Sequence, residues 1–420
     1  MPDSKGITMN TKQPNAEAFQ KGDLEIVNSY LIAGGDVHAC NDLALRVASE
    51  YGHTETVKVL LKAGADVHAN HDESLQLAVK HGHVEVVKDL IAAKADIHAE
   101  NDLALRWAAK AGYADVVKIL LEENDFQENH QESLSNAFWA SLWEGHIEVA
   151  KVFLDAGVSD YMKDGLALQW ASRTGHCDMV KLLLEYGADA SACDSRALLT
   201  AAEMSHAKVV KILIESGADL HVDNDVALRL AIEHNHIDVV KVLIEAGADV
   251  HANDDRALQM AAEDGYVKIV QMLIEAGADV HAKNEEALRE ATRNGQTKIV
   301  QMLIEAGADI HADDDVALHL ASSYGRLDIV KILLAVRTHE GQNAGANVHA
   351  LNNLALHLAV KNNRVEIVKT LLEAGANVHD VNESVFRMAK WNGYTELEKI
   401  LYEAQSAQKE PLPSAPVRLG

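Results

Sequence analysis

Apolar positions recur along this chain at helical spacing, in a pattern that restarts about every thirty residues. Between Asn41 and Ala69, Leu45, Ala48 and Ser49 fall at helical intervals and stop at Gly52. A second run starts at Thr54, where Val57, Leu60 and Leu61 stand at i, i+3 and i+4 and form one apolar face. Lys58 and Lys62 lie off that face. Gly64 closes the run, and Ala65-Asp66-Val67-His68-Ala69 leads into the next copy. Each unit therefore predicts two short helices. The first begins at the N-cap types Asn41-Asp42 and ends at a glycine suited to a left-handed turn. The phrase returns as NDVALRLAIEHNHIDVVKVLIEAGADVHA from Asn224 to Ala252. Repetition at this period implies a stack of units, each contacting mainly its neighbours, rather than one closed core.

Three columns define the repeat. The turn position runs from Gly22 to Gly393 and marks about thirteen units, with Ser205, Asn235 and Asn363 in place of glycine. Four residues earlier stands a small side chain, mostly alanine. Three before that stands a large apolar one, from Leu45 to Phe386, with Phe138 at one interior position. Large beside small, repeated, predicts an interdigitating core. Proline is absent between residues 15 and 410, as a long helical array requires. The expected organisation is a disordered segment 1–14, a repeat array 15–405 and a disordered Pro-rich tail 406–420. The register breaks near 122–134 and near 335–345, where the turn-to-turn interval lengthens.

The phrases LRLAIEHNHIDVVKV (Leu228 to Val242) and GADVHA (Gly247 to Ala252) resemble the ankyrin repeat over about residues 15–405. The resemblance implies an all-α, ankyrin-type helical solenoid of about thirteen helix-turn-helix repeats, whose usual work is to bind other proteins. Ala227 and its equivalents stand where the family has proline. The repeat is 30 residues long rather than 33, and the shortfall lies between Ala39 and Leu43, so the finger loops should be tight turns. Histidine stands where the family has asparagine in V-N-A. This short, His-bearing form is similar to arrays of giant DNA viruses and some intracellular bacteria.

Charge and composition narrow the function. With 64 acidic against 38 basic residues the formal net charge is −26, a field that repels nucleic acid. No apolar run reaches membrane-span length, and no secretory signal is visible. Cys40, Cys177 and Cys193 have no metal-type spacing and read as reduced thiols. A cytoplasmic location follows, or a host cell if the protein is an effector. Most of the 22 histidines form two ladders, one including His38, His68 and His98, the other His53, His83 and His146. Successive rungs are roughly 10 Å apart if packed helices set the spacing, whereas zinc needs nitrogens within about 2.1 Å. The ladders are therefore expected to be hydrogen-bonding turn residues, and no metal or cofactor is expected. The plentiful carboxylates, Asp313-Asp314-Asp315 among them, are expected at helix starts or on solvent faces. No phosphate loop, GxSxG, HExxH, HRD or CxxC motif occurs, so no enzyme is expected.

By the ankyrin match, the residues just before each turn face the concave side. The inner of that pair is basic early (Lys80, Lys110, Arg173), acidic in the middle (Glu203, Glu233, Glu263) and mixed later. Trp107, Trp139, Trp143 and Trp170 cluster near the first register break. Trp107 and Trp170 occupy a column filled elsewhere mostly by Leu or Met and are expected in the core. Trp139 and Trp143 replace polar residues. Exposed Trp beside Arg or Lys is the chemistry of a binding hot spot. The sequence thus predicts a monomeric scaffold binding a protein with a charged segment. The partner-binding residues are Trp139, Trp143, Lys80, Lys110, Arg173, Glu203, Glu233 and Glu263. The alternatives are a viral or bacterial effector capturing a host factor and a His-rich protein responsive to metal or pH.

Overall fold

The computed structural model describes residues 16–122, 130–158, 165–336, 344–379 and 383–409. The expected disordered segment 1–14 lies outside them, as does the expected tail 406–420 from residue 410 on, while residues 406–409 belong to the helix Thr395–Lys409. Within the described residues there are 26 helices and no strand. They follow one another as pairs such as Ala69–Lys80 with Val84–Ala92, and Ala252–Asp264 with Val267–Glu275. The chain groups into two compact units, residues 1–200 with 215–218, and 201–214 with 219–420.

Within each unit the columns read from sequence form the core. In the first, Leu45, Leu75, Leu105 and Phe138 are buried over Ala48, Ala78, Ala108 and Ser141. Phe138 meets Phe153 of the paired helix edge-on, with ring centroids 6.2 Å apart. In the second, Leu228, Leu258, Leu288, Leu318 and Leu356 alternate with Ala231, Ala261, Ala291, Ala321 and Ala359 in the same way. The turn column holds the left-handed conformation throughout, including Ser205, Asn235 and Asn363. At Gly52 a second reason for glycine appears. A Cβ there would lie 2.5 Å from the ring of His83, one repeat on. That ring donates Nε2–H to the carbonyl of Glu50 at 2.9 Å, and His53, His146 and His236 repeat the bond on Gln20, Lys110 and Glu203. Arg326 takes the same place on Arg293. Four rungs of the second histidine ladder thus make inter-repeat hydrogen bonds, in line with the expected hydrogen-bonding role, while His176 Nδ1 meets Thr174 Oγ1 of its own repeat at 3.1 Å.

The segment between repeats departs from expectation. Asn41 and Asp42 are not the start of a right-handed helix: Cys40, Asn41 and Asp42 are three consecutive left-handed residues, with φ of 54°, 57° and 52°. The same left-handed turn recurs in both units, for example at Asn70-His71-Asp72 and at Asp313-Asp314-Asp315. The clipped finger is this turn. Left-handed backbone costs roughly 1–2 kcal/mol per non-glycine residue, least for Asn and Asp. Its exposed carbonyls are capped by a side chain further along the helix, as Gln76 caps His71 at 2.8 Å and Gln259 caps Asp254 at 2.6 Å.

The third residue of most of these turns is a buried acid, with buried Ser195 and Asn353 in its place at two described turns, which corrects the expectation of solvent-facing carboxylates. Asp42, Asp72, Asp102, Asp225, Asp255, Glu285 and Asp315 are all at most 4% exposed. Asp42, Asp72, Asp225, Asp255 and Asp315 each do two things. Asp72 accepts from His68 Nδ1 at 3.1 Å in its own repeat and from the backbone N–H of Asp96 at 2.7 Å in the next. Asp255 does the same with His251 at 3.1 Å and Asp279 N–H at 2.7 Å. The exposed turn aspartates in turn hold the histidine backbone, as Asp66 holds His68 N–H at 3.0 Å. Asn353 serves as the acceptor once, for Asn377 N–H at 2.8 Å. The relay also crosses the second register break. Ala344 N–H closes on Val336 C=O, and Asp315 still accepts from Asn347 N–H at 2.8 Å. The extra residues 337–343 themselves lie outside the described residues.

Removing the acceptor strands a turn N–H and a histidine. Asp255→Ala is expected to lower unfolding free energy by about 2–3 kcal/mol. Asp255→Asn, the chemistry of Asn353, should cost clearly less; urea denaturation of both variants checks this. A pH dependence also follows. The hydrogen bond that His281 Nδ1–H donates to the Glu285 carboxylate raises the imidazole above its ordinary value, against the opposing effect of burial. The pairing therefore contributes its full stability below about pH 6.5 and loses it as pH rises through the raised value. With the His281 side chain 57% exposed, the contribution is at most about 1 kcal/mol. The gap in urea midpoint between wild type and His281→Gln should shrink from pH 5 to pH 8.

Candidate binding site

Two first helices of the first unit, Gln131–Glu144 and Leu166–Thr174, carry the densest aromatic chemistry. On Gln131–Glu144 the buried side is Leu134, Ala137, Phe138, Ser141 and Leu142. Asn136, Trp139 and Trp143, spaced by three and four, share the other side. On the neighbouring helix Leu166, Gln169, Trp170 and Arg173 show the same spacing. These seven side chains line one open cavity of about 490 Å³. Trp143 is 61% exposed and Leu166 50%, both unusual for side chains this apolar. The rings of Trp143 and Trp170 lie 5.9 Å apart at a tilt of 54°.

The cavity brings together three of the predicted site residues, Trp139, Trp143 and Arg173. It adds Trp170, which was expected in the core but is half-buried and forms part of the wall. Trp107 is likewise half-buried, with the ammonium of Lys80 5.7 Å from its ring centre. Lys110 is exposed at the equivalent position of the next repeat, and neither lysine lines the cavity. In the second unit Glu203, Glu233 and Glu263 are exposed at successive equivalent positions. The following one, Arg293, is tied to Glu290 of its own helix.

A family model described as ankyrin repeats (3 copies) matches residues 16–101, 75–164, 105–194, 168–254, 251–314 and 290–382. The chain belongs to the ankyrin-repeat family. Ankyrin repeats are protein–protein interaction modules, and proteins built from them are typically non-enzymatic scaffolds. Comparison with curated proteins gives no match. No described helix is long and apolar enough to cross a membrane.

Seven of the 22 histidines of this ankyrin array belong to neither ladder, His130 among them. His130, just before the helix Gln131–Glu144, places Nδ1 2.9 Å from Asp102 Oδ2, while His98 Nδ1 lies 2.6 Å from Oδ1. Asp102 is 1% exposed. Burial pushes its carboxyl upward, but hydrogen bonds from Ser133, His98 and His130, with the charge of His130, outweigh that and hold it below its ordinary value. The three residues offer metal-type atoms within 4.8 Å of one another. The geometry is nevertheless that of hydrogen bonding. The two rings stack 3.9 Å apart and within 16° of parallel. Each ring presents its Nδ1 to its own oxygen of the Asp102 carboxylate at hydrogen-bond distance. Sequence reading missed this cluster because its members are 28 residues apart across the register break. The one available signal was a histidine out of ladder register there.

Because Trp143 is exposed, Trp143→Ala should shift unfolding free energy by no more than about 0.5–1 kcal/mol. The fully buried Phe138→Ala should cost about 3–5 kcal/mol. Urea titration of the two variants separates a surface aromatic from a core one.

Proposed function

We propose that this ankyrin-repeat protein binds a partner protein through the aromatic cavity of its first unit. A bulky apolar side chain of the partner would seat against Trp139, Trp143, Trp170 and Leu166. The supporting observation is the 490 Å³ cavity with three indoles and a 61% exposed Trp143. Its volume falls within the usual range of ligand sites, and Trp and Arg are the residues over-represented at binding hot spots. Arg173 at the cavity, with Lys110 and Lys80 on the preceding repeats, favours an acidic segment beside the apolar anchor. In the second unit, the exposed row Glu203, Glu233 and Glu263 suits a basic segment of the same or another partner. The three cysteines, none in a disulfide and two of them exposed, fit work inside a reducing cell. The histidine ladders are read as structural, because their ring nitrogens are spent on carbonyls and buried acids.

Peptides selected from a random display library on the intact chain test this reading. The expected winners carry a large apolar residue next to Asp or Glu, and their association slows as salt rises. Trp143→Ala should weaken them by about 2 kcal/mol, roughly thirtyfold. Unchanged affinity in a folded Trp143→Ala chain would sink the proposal.

A further inference from the structure

We propose that His130 is the positioning residue of the aromatic cavity: with Asp102 and His98 it forms a side-chain latch across the first register break. The functional half of this inference rests on the cavity being the binding site. Elsewhere in the first unit the buried acid holds the next repeat through a turn N–H 24 residues on, Asp66 on Asp42 and Asp96 on Asp72, each at 2.7 Å. The residue 24 beyond Asp102 is Phe126, in a stretch that lacks the Gly-Ala-Asp turn and lies outside the described residues. Asp102 instead receives an imidazole from 28 residues on, at 2.9 Å. Each carboxylate oxygen is assigned one ring, Oδ1 to His98 and Oδ2 to His130, and the rings stack on each other. The acid is 1% exposed, so the bonds are made away from competing water.

The latch sits where it governs the cavity. His130 immediately precedes the helix, and its carbonyl accepts the first helical bond, from Leu134 N–H at 3.0 Å. Asn136, Trp139 and Trp143 follow on the same helix and line the cavity. A helix is a stiff rod with about 100° of rotation per residue, so the anchoring of its first turn sets the direction of all three side chains. Trp170 and Arg173, on the next helix, complete the wall only if that direction holds.

The test uses the intact chain with His130→Ala, His130→Gln and His130→Gly with or without added imidazole. Amide hydrogen exchange over residues 131–144 reads the latch without any ligand. A display-selected peptide reads the cavity. The expected result for His130→Ala is exchange faster by about tenfold or more in the first turns of that helix, with residues 69–92 unchanged. Peptide affinity should fall by about fivefold or more. Glutamine, or imidazole added to the glycine variant, should recover part of both. Unchanged exchange in His130→Ala overturns the latch. Faster exchange with unchanged peptide affinity overturns the positioning role. Stoichiometric zinc binding in calorimetry, lost in His130→Ala, overturns it in favour of a metal site. If wild type selects no peptide, the cavity reading has failed, and hydrogen exchange alone decides whether the latch stands.

Discussion

A buried carboxylate that accepts a backbone N–H from the following repeat is the interaction on which the rest of this array depends. The left-handed turn between repeats is unfavourable on its own, since three successive residues leave the right-handed region. In most repeats its last residue turns an acid inward, where two charge-assisted bonds converge, as at Asp225: one from the histidine of its own repeat and one from the next turn. A buried charge left without donors would cost several kcal/mol. The acid and its two donors therefore stand or fall together. Each repeat specifies not only its own turn but also the height at which its neighbour docks.

The places that lack this acid are the places with distinctive chemistry. Ser135, Gly165 and Ser195 occupy its position in three successive units. The first histidine ladder is empty over the same span, between His98 and His221. There the Phe138–Phe153 pair fills the inside of one repeat, the latch on Asp102 reaches the repeat before it, and the solvent side opens into the tryptophan cavity. Regular units spend their polar residues on each other. The irregular ones leave apolar surface and a guanidinium beside solvent, which is what a partner needs.

Much of this was legible in the chain. Column positions such as Leu258 and Ala261, the positive-φ turn residues Gly52 and Asn235, and the hydrogen-bonding role of His83 all follow from local spacing. The left-handed turn did not. Asn and Asp are favoured both as N-caps and in left-handed backbone, so Asn41-Asp42 fits either state, and only a donor 24 residues away decides between them. The same non-locality hid the burial of Asp315. Of the proposed binding residues, Trp139 and Trp143 stood out as tryptophans in polar columns, and Arg173 as part of the basic stretch of the column before each turn. Trp170 matched its column and so looked like core. Leu166 and Gln169 gave no signal, because a cavity wall is set by the gap between helices rather than by any one column.

The central claim is most directly measured by native-state amide exchange at the turn aspartates of the wild-type chain. Asp66, Asp96, Asp249 and Asp279 are exposed residues, and an unbonded turn amide there exchanges at nearly the free-peptide rate. The account predicts that these four amides exchange as slowly as the core of the adjoining helices, because each is bound to a buried carboxylate. Exchange at the rate of an open turn at these positions would contradict it.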